Sequence, residues 1–297
     1  MLFTLPYADK MVFKGGTSLS KVWGLIRRFS EDIDIAVDRS IFGIEGDATK
    51  KQLKKLRKLS SIFVRDTLSN DLMNFASDSG MDKYIEIVPD SDGEGDSTYP
   101  EPRKIHIYYQ SLFEKSSGGY LRDEIQLEVG ARSLFEPTAS ARINSFVSQQ
   151  FPNLASDDVE IEIITAVAEK TFLEKAFLLH ELFTTDGCRN ANRKSRHMYD
   201  LHRMFKTGIA EKAIPDDNLW ETIRHHREIF TSIRNVDYTP DVRKRINLVP
   251  PNEVIDIWKD DYDTMVFNMI YDDTKPSFDD IIKSAKEIEN MFKHYST

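Results

Sequence analysis

A single cysteine, Cys188, stands in 297 residues, so no disulfide forms within the chain and a zinc site built on paired cysteines is excluded. Long apolar runs are missing too. No stretch approaches the roughly 18 residues needed to cross a membrane, and the start lacks the basic-then-apolar pattern of a secretory leader. The expectation is a cytoplasmic protein without a membrane partner. The G-x-x-x-x-G-K-[ST] loop is absent, as are internal repeats and low-complexity tracts. An excess of positive charge is also lacking. The formal charge of −9 argues against a protein coated in nucleic acid and leaves room for local basic surfaces.

The charge that is present is uneven. "KKQLKKLRK" at 50–58 carries six basic residues, and "DSDGEGD" at 90–96 carries four acids. Lys51, Lys54, Lys55 and Lys58 fall at helical spacing and form one ridge of a helix predicted from about 47 to 75. The ridge follows directly on an acidic strand, which predicts that it lies near it, as a solvated face or an RNA-binding stripe. Further strands are predicted at 84–88, 104–109 and 123–129, with the acidic, Gly-containing segment between the first two as a loop. After about residue 155 strand signals become scarce. "DDVEIEIITAVAEKTFLEKAFLLHELF" is predicted as one long helix, and further helices follow to "SFDDIIKSAKEIENMFK". The expected fold is α+β: an N-terminal lobe over 1–150 with a small mixed sheet, then a helical lobe over 151–297.

The most informative stretch is "VFKGGTSLSKVWGLIRRFSEDIDIAVD", residues 12–38. Leu19, Val22, Trp23 and Ile26 recur at helical spacing after the glycines. "DIDIAVD" then alternates, with Ile33, Ile35 and Val37 on one face and Asp32, Asp34 and Ala36 on the other. Asp32 and Asp34 therefore point the same way, about 7 Å apart. Their repulsion is relieved by a shared divalent cation, and Mg²⁺ or Mn²⁺ takes hard carboxylate oxygens together with substrate phosphates. The turn of Gly15, Gly16, Thr17 and Ser18 at a helix entry offers backbone N–H groups to phosphate. Metal plus phosphate cradle is the equipment of phosphoryl or nucleotidyl transfer. The plain alternative is a solvated strand edge beside a capped helix.

Glycine turn, helix and D-h-D strand together resemble the polymerase-β-like nucleotidyltransferase superfamily, although the gap from Gly16 to Asp32 is longer than usual there. The resemblance implies a third carboxylate on a later strand. Glu128 in "IQLEVGARS" is the better candidate, and Glu124 shares its face. "FKGGTSLSK", "RFSEDIDI", "EKTFLEKAFLLHE" and "SRHMYDLHRM" narrow the likeness to the AbiEii/AbiGii toxins of type IV toxin–antitoxin and abortive-infection systems. That resemblance implies a nucleotidyltransferase toxin with a cognate antitoxin encoded nearby. It also implies metal ligation by Asp32, Asp34 and Glu128, and a helical lobe that completes the site.

By position the family's lysine and aspartate fall on Lys175 and Asp200. Lys175 would bind the NTP triphosphate, and Asp200 would bind metal or ribose or act as general base. The competing lysine, Lys170, has Glu174 four residues on, which favours a surface role for it. Lys175 without the resemblance reads as a side chain snorkelling from an apolar helix face. Lys14, Lys21, Arg27 and Arg28 are further candidates for phosphate contact; His180, His197 and His202 read as structural, and Tyr199 as core. The resemblance implies transfer of NMP to an RNA acceptor end, tRNA above all. Kinase-like transfer to a protein, or inhibition by nucleotide binding without catalysis, are the alternatives.

Overall fold

The structure is a computed structural model and describes residues 1–95, 98–111, 124–151, 153 and 160–295. The chain divides into two compact units, one of residues 1–23 with 31–166 and one of residues 24–30 with 167–297.

The first unit is built on a seven-stranded mixed sheet of order β3-β4-β5-β2-β1-β7-β6. Its strands are β1 (Met11–Lys14), β2 (Asp32–Val37), β3 (Ile85–Pro89), β4 (Arg103–Tyr109), β5 (Glu124–Gly130), β6 (Thr138–Ile143) and β7 (Ile161–Ala166). β2 runs parallel to β5 and β1 parallel to β7; the other neighbours are antiparallel. A short helix, α1 (Gly15–Lys21), links β1 toward β2. It stops before the apolar period does, because the chain turns at Gly24 in the left-handed region (φ +61°) and leaves this unit.

The predicted helix after the acidic strand is α2 (Lys50–Ile62), a π-helical turn over Phe63–Leu68, and α3 (Ser69–Asp78). Thr49 and Gln52 close a capping box at its start. Leu56, Val64, Leu68 and Leu72 are buried along this layer. Ser61 of α2 accepts from Arg103 Nε at 2.8 Å, which places α2 on the Arg103 face of the sheet. Successive strand residues point to opposite faces, so Lys104 and the residues in register with it face the other way. The lysine ridge is exposed on the layer behind the sheet, not beside the acids. Nearness in sequence misled here: the helix that follows β2 packs on the Arg103 face, opposite to the acids.

β6 and β7 are absent from the sequence reading. Ile161–Ala166 was expected within one long helix, but "IEIITA" alternates and is rich in β-branched residues, and it pairs with Thr138–Ile143. The helix begins only at α5 (Ala168–Phe183), after a short α4 (Phe146–Gln150) in the sheet unit. Asp157, Asp158 and Val159, read as the helix start, lie outside the described residues, as does Asp123 at the head of the predicted 123–129 strand.

The second unit is helical: α5, α6 (Ser195–Lys206), α7 (Ala210–Ala213), α8 (Asp217–His226), α9 (Ile255–Met269) and α10 (Phe278–His294). Aromatic rings fill its core. Phe177 stacks on Trp220 with centroids 4.8 Å apart, and Phe183 meets Trp258 edge-on at 4.7 Å. Residues 24–30 join this unit through backbone contacts. Phe29 N–H donates to Met269 O at 2.8 Å, Tyr271 N–H donates to Arg27 O at 3.2 Å, and Arg28 bridges to Ile270.

Candidate active site

Period-two alternation puts the acids on one face, and strand register decides which acids meet. Lys14, Asp34, Glu128 and Lys104 stand opposite one another across β1, β2, β5 and β4, and Asp32, Gln126 and His106 form the adjoining row. Residues opposite one another project to the same side, on strands about 4.8 Å apart. Asp34 and Glu128 are therefore direct neighbours. Glu124 lies one row farther along β5 and bonds His106 Nδ1 at 3.0 Å. Geometry thus favours Glu128 as the companion of the Asp pair.

The repulsion among these half-buried acids has a visible answer. Gln126 Nε2 donates to Asp32 Oδ1 at 3.0 Å and to Glu128 Oε1 at 2.9 Å. Lys104 Nζ pairs with the same Glu128 oxygen at 2.9 Å. Neither residue stood out in the sequence, yet Gln126 sits midway between Glu124 and Glu128 in the alternating run and could have been found there. The glycine turn packs against the same acids. Gly15 has φ +74°, and a Cβ there would lie 2.0 Å from Asp34 Oδ2, so only glycine lets the carboxylate approach the turn. Thr17 Oγ1 donates to the backbone carbonyl of Asp32, and Ser18 Oγ donates to Gly15 O at 3.0 Å. Both hydroxyls fasten the turn through backbone carbonyls, and α1 has no side-chain cap at its start. Gly16 is buried within the turn.

The donor chemistry fits a divalent cation of the Mg²⁺ kind, since three carboxylates on adjoining strands supply hard oxygen ligands. Among the described residues, no three His, Cys, Asp or Glu side chains converge closely enough as they stand to hold one ion. Gln126 and Lys104 occupy oxygens that an ion would take, so ligation requires those contacts to open.

The second set of predicted residues lies in the helical unit. Lys175 on α5 is 7% exposed and Asp200 on α6 is fully buried. Lys175 Nζ reaches Asp200 Oδ2 at 2.9 Å and lies 3.3 Å from His197 Nδ1. Arg28 holds Asp200 with both arms, Nε to Oδ1 and Nη2 to Oδ2, each at 2.8 Å. Burial opposes the Asp200 charge, but Arg28 and Lys175 outweigh it and hold the carboxyl far below its usual range. Such a carboxylate is held charged as a counter-ion to Arg28 and Lys175. Burial lowers the Lys175 ammonium, and Arg28 and Arg196 add to this while Asp200 opposes them. Burial and the Lys175 charge also hold His197 neutral, so its Nδ1 accepts from the ammonium.

The snorkelling alternative for Lys175 fails, because its ammonium is enclosed. Lys170, expected at the surface, is fully buried as well. An apolar helix face can still bury a lysine when neighbouring helices enclose it, and intrahelical spacing does not report that. His180 and His202 are structural: Nδ1 of the first accepts from Asn247 N–H at 3.2 Å, and Nδ1 of the second lies 2.8 Å from Ser284 Oγ. Tyr199 is core. The role of Arg28 was not legible, since its carboxylate partner is 172 residues away.

No helix among the described residues is long and apolar enough to cross a membrane. No curated protein matches the chain. Among solved structures it is similar to MenT4, a nucleotidyltransferase toxin from Mycobacterium tuberculosis H37Rv, at 14% identity and a TM-score of 0.55, over 100% of this chain and 80% of that one. That likeness speaks to the fold, a mixed α+β arrangement. The family model described as nucleotidyl transferase AbiEii toxin, type IV TA system, matches residues 2–284. With almost the whole chain matched, the protein belongs to the AbiEii nucleotidyltransferase toxins of type IV toxin–antitoxin systems.

Proposed function

We propose that this toxin transfers NMP from an NTP to the end of an RNA acceptor, tRNA being the leading class, with Mg²⁺ or Mn²⁺ held by Asp32, Asp34 and Glu128. The observation that carries the reading is the register of Asp34 with Glu128 beside Asp32, on the strand pair against which Gly15 closes. A metal held there would draw charge from the α-phosphate and lower the pKa of the attacking 3′-hydroxyl. The residues do the rest. Asp34 fixes the edge of the glycine turn, and the turn of Gly15, Gly16, Thr17 and Ser18 keeps the phosphate chain close to the acids. Gln126 keeps Asp32 and Glu128 aligned through its amide. Lys175 supplies an ammonium to the triphosphate as a compact point charge. Family membership implies a cognate antitoxin, and the cytoplasm is the compartment where NTP and tRNA are both present.

The lysine ridge on α2 lies behind the sheet, so this mechanism does not use it. The test incubates the purified protein, Mg²⁺ and each α-labelled NTP with total RNA. The expected result is label on RNA of tRNA size, abolished by chelation and unchanged within about twofold when Lys51, Lys54, Lys55 and Lys58 are neutralised together. Label on protein from γ-labelled NTP, with none on RNA, would replace this reading with kinase-like transfer.

A further inference from the structure

The face of the sheet that carries the acids continues beyond them. His106 stands in register with Gln126 and Asp32, and Tyr108, two residues on along β4, projects to the same side. The two rings are stacked, with centroids 5.9 Å apart and planes inclined by 11°. His106 is held from both ends: Nδ1 lies 3.0 Å from Glu124 Oε2, and Nε2 lies 3.0 Å from Asp90 Oδ1. The imidazole plane is therefore fixed, and it supports the tyrosine ring in a set orientation. Tyr108 is 41% exposed, and Val88, opposite His106 on β3, is exposed as well. Core packing does not account for this ring, because the buried residues of β4, Arg103 and Ile105, are on the other face.

Position and chemistry say what such a ring takes. In the sheet order β4-β5-β2-β1, the acids of β2 and β5 lie between the strand of Tyr108 and the glycine turn at the end of β1. A nucleotide at the turn therefore leaves the β4 side of the acids for the second substrate. His106 is two strand spacings, about 10 Å, from Asp32, and Tyr108 is two residues, about 7 Å, farther along. Short single-stranded RNA spans that distance. The surrounding carboxylates, Glu86 opposite Tyr108 together with Asp90 and Glu124, repel phosphate and attract N–H donors. An unpaired base with an exocyclic amino group meets both conditions, offering a π-face to the ring and donors to the acids. Repulsion of the flanking phosphates is screened by salt over about 8 Å, whereas the stack, about tenfold in affinity per base, is not. We infer that Tyr108, fixed by His106, is a stacking platform for one unpaired base of the RNA acceptor. This deepens the proposed function and rests on its assignment of the acceptor to RNA.

The experiment uses the full-length protein and a fluorescein-labelled oligocytidine RNA, with binding followed by anisotropy at several salt concentrations. Tyr108→Ala should weaken binding about tenfold, the loss of one base stack. Tyr108→Phe keeps the ring and should bind within about twofold of wild type. Tyr108→Leu keeps an apolar contact without a π-face and should behave like the alanine variant. The slope of log affinity against log salt should be the same in all four proteins, because no phosphate contact is lost. Wild-type affinity in Tyr108→Ala, equal binding by Tyr108→Leu and Tyr108→Phe, a changed salt slope in Tyr108→Ala, or no binding of the RNA by wild type would each overturn the inference. If the variants bind as expected but label passes only to protein from γ-labelled NTP, transfer to RNA falls and the stacking site stands. If Tyr108→Ala labels limiting RNA at the wild-type rate, the stacking site falls and transfer to RNA stands.

Discussion

The acidic row of the sheet and the ion cluster of the helical unit solve the same problem in opposite ways. On the sheet, like charges are half-buried and are tolerated because an amide and a lysine sit among them: Gln126 bridges Asp32 and Glu128, and Lys104 pairs with Glu128. In the helical unit, opposite charges are fully enclosed, and each depends on the others for its protonation state. Partly solvated charges cost little to keep or remove, whereas removing one partner from a buried set leaves an uncompensated ion. The first arrangement can rearrange at little cost, and the second is fixed by burial and by its paired charges.

The largest expected effect sets the two regions directly against each other. Asp34→Ala should lower transfer by about a thousandfold or more, the order expected when metal ligation is lost. Its stability should stay within about 1 kcal/mol of wild type, because a charge among like charges is removed. Asp200→Ala should cost about 3–5 kcal/mol of folding free energy by leaving Arg28 and Lys175 uncompensated. Urea unfolding and labelled-NTP transfer on both variants check this. Equal stability losses would erase the distinction between the two sites.

The next effect belongs to the helical unit and concerns pH. Burial, then Lys206 and Arg203, lowers the His202 pKa from 6.5 to about 4. The folded state thus favours the neutral ring. Stability from this group is complete above about pH 6.5 and is lost as pH falls toward 4, by an amount on the order of 3 kcal/mol. Asp200 adds its own loss only below its ordinary value of 3.8, so the two windows separate. Denaturant midpoints between pH 4.5 and 7 should slope upward in wild type and less steeply in His202→Gln, the remaining slope coming from His180 and His197, whose pKa values burial also lowers. An unchanged slope in His202→Gln would remove His202 from the account.

The smallest effect sharpens the account of the sheet site. Gly15→Ala forces a left-handed backbone on alanine and drives its methyl into the Asp34 carboxylate. A cost of about 1–2 kcal/mol is expected from the backbone alone. Transfer should fall more than stability, since the displaced group is a proposed metal ligand. Thermal melting and transfer measured side by side give that ratio. An alanine variant of full activity would mean that the contact between the turn and Asp34 does not matter to the chemistry.

The run from Gly15 to Val37 by itself determined most of the sheet site. Alternation with a period of two is a local property of the chain, so Asp32 and Asp34 had to share a face once the strand formed, and the left-handed turn before it called for glycine. Likeness to family motifs in "EKTFLEKAFLLHE" and "SRHMYDLHRM" singled out Lys175 and Asp200 as positions, though not what surrounds them. Tertiary structure decided everything that depended on a partner far along the chain. Parallel pairing of β2 with β5 set Glu128, and not Glu124, opposite Asp34, because register is set by the whole sheet and not by either strand. The β7 segment turned from helix to strand because β1 and β6 offered it pairing on both edges. The ridge of Lys51, Lys54, Lys55 and Lys58 went to the far side of the sheet, because the apolar residues of α2 had to cover the Arg103 face. Arg28, read as one basic residue among several, became the clamp on Asp200 because its loop folds into the helical unit, 172 residues from its partner. Local spacing constrains which residues share a face; only packing determines which faces meet.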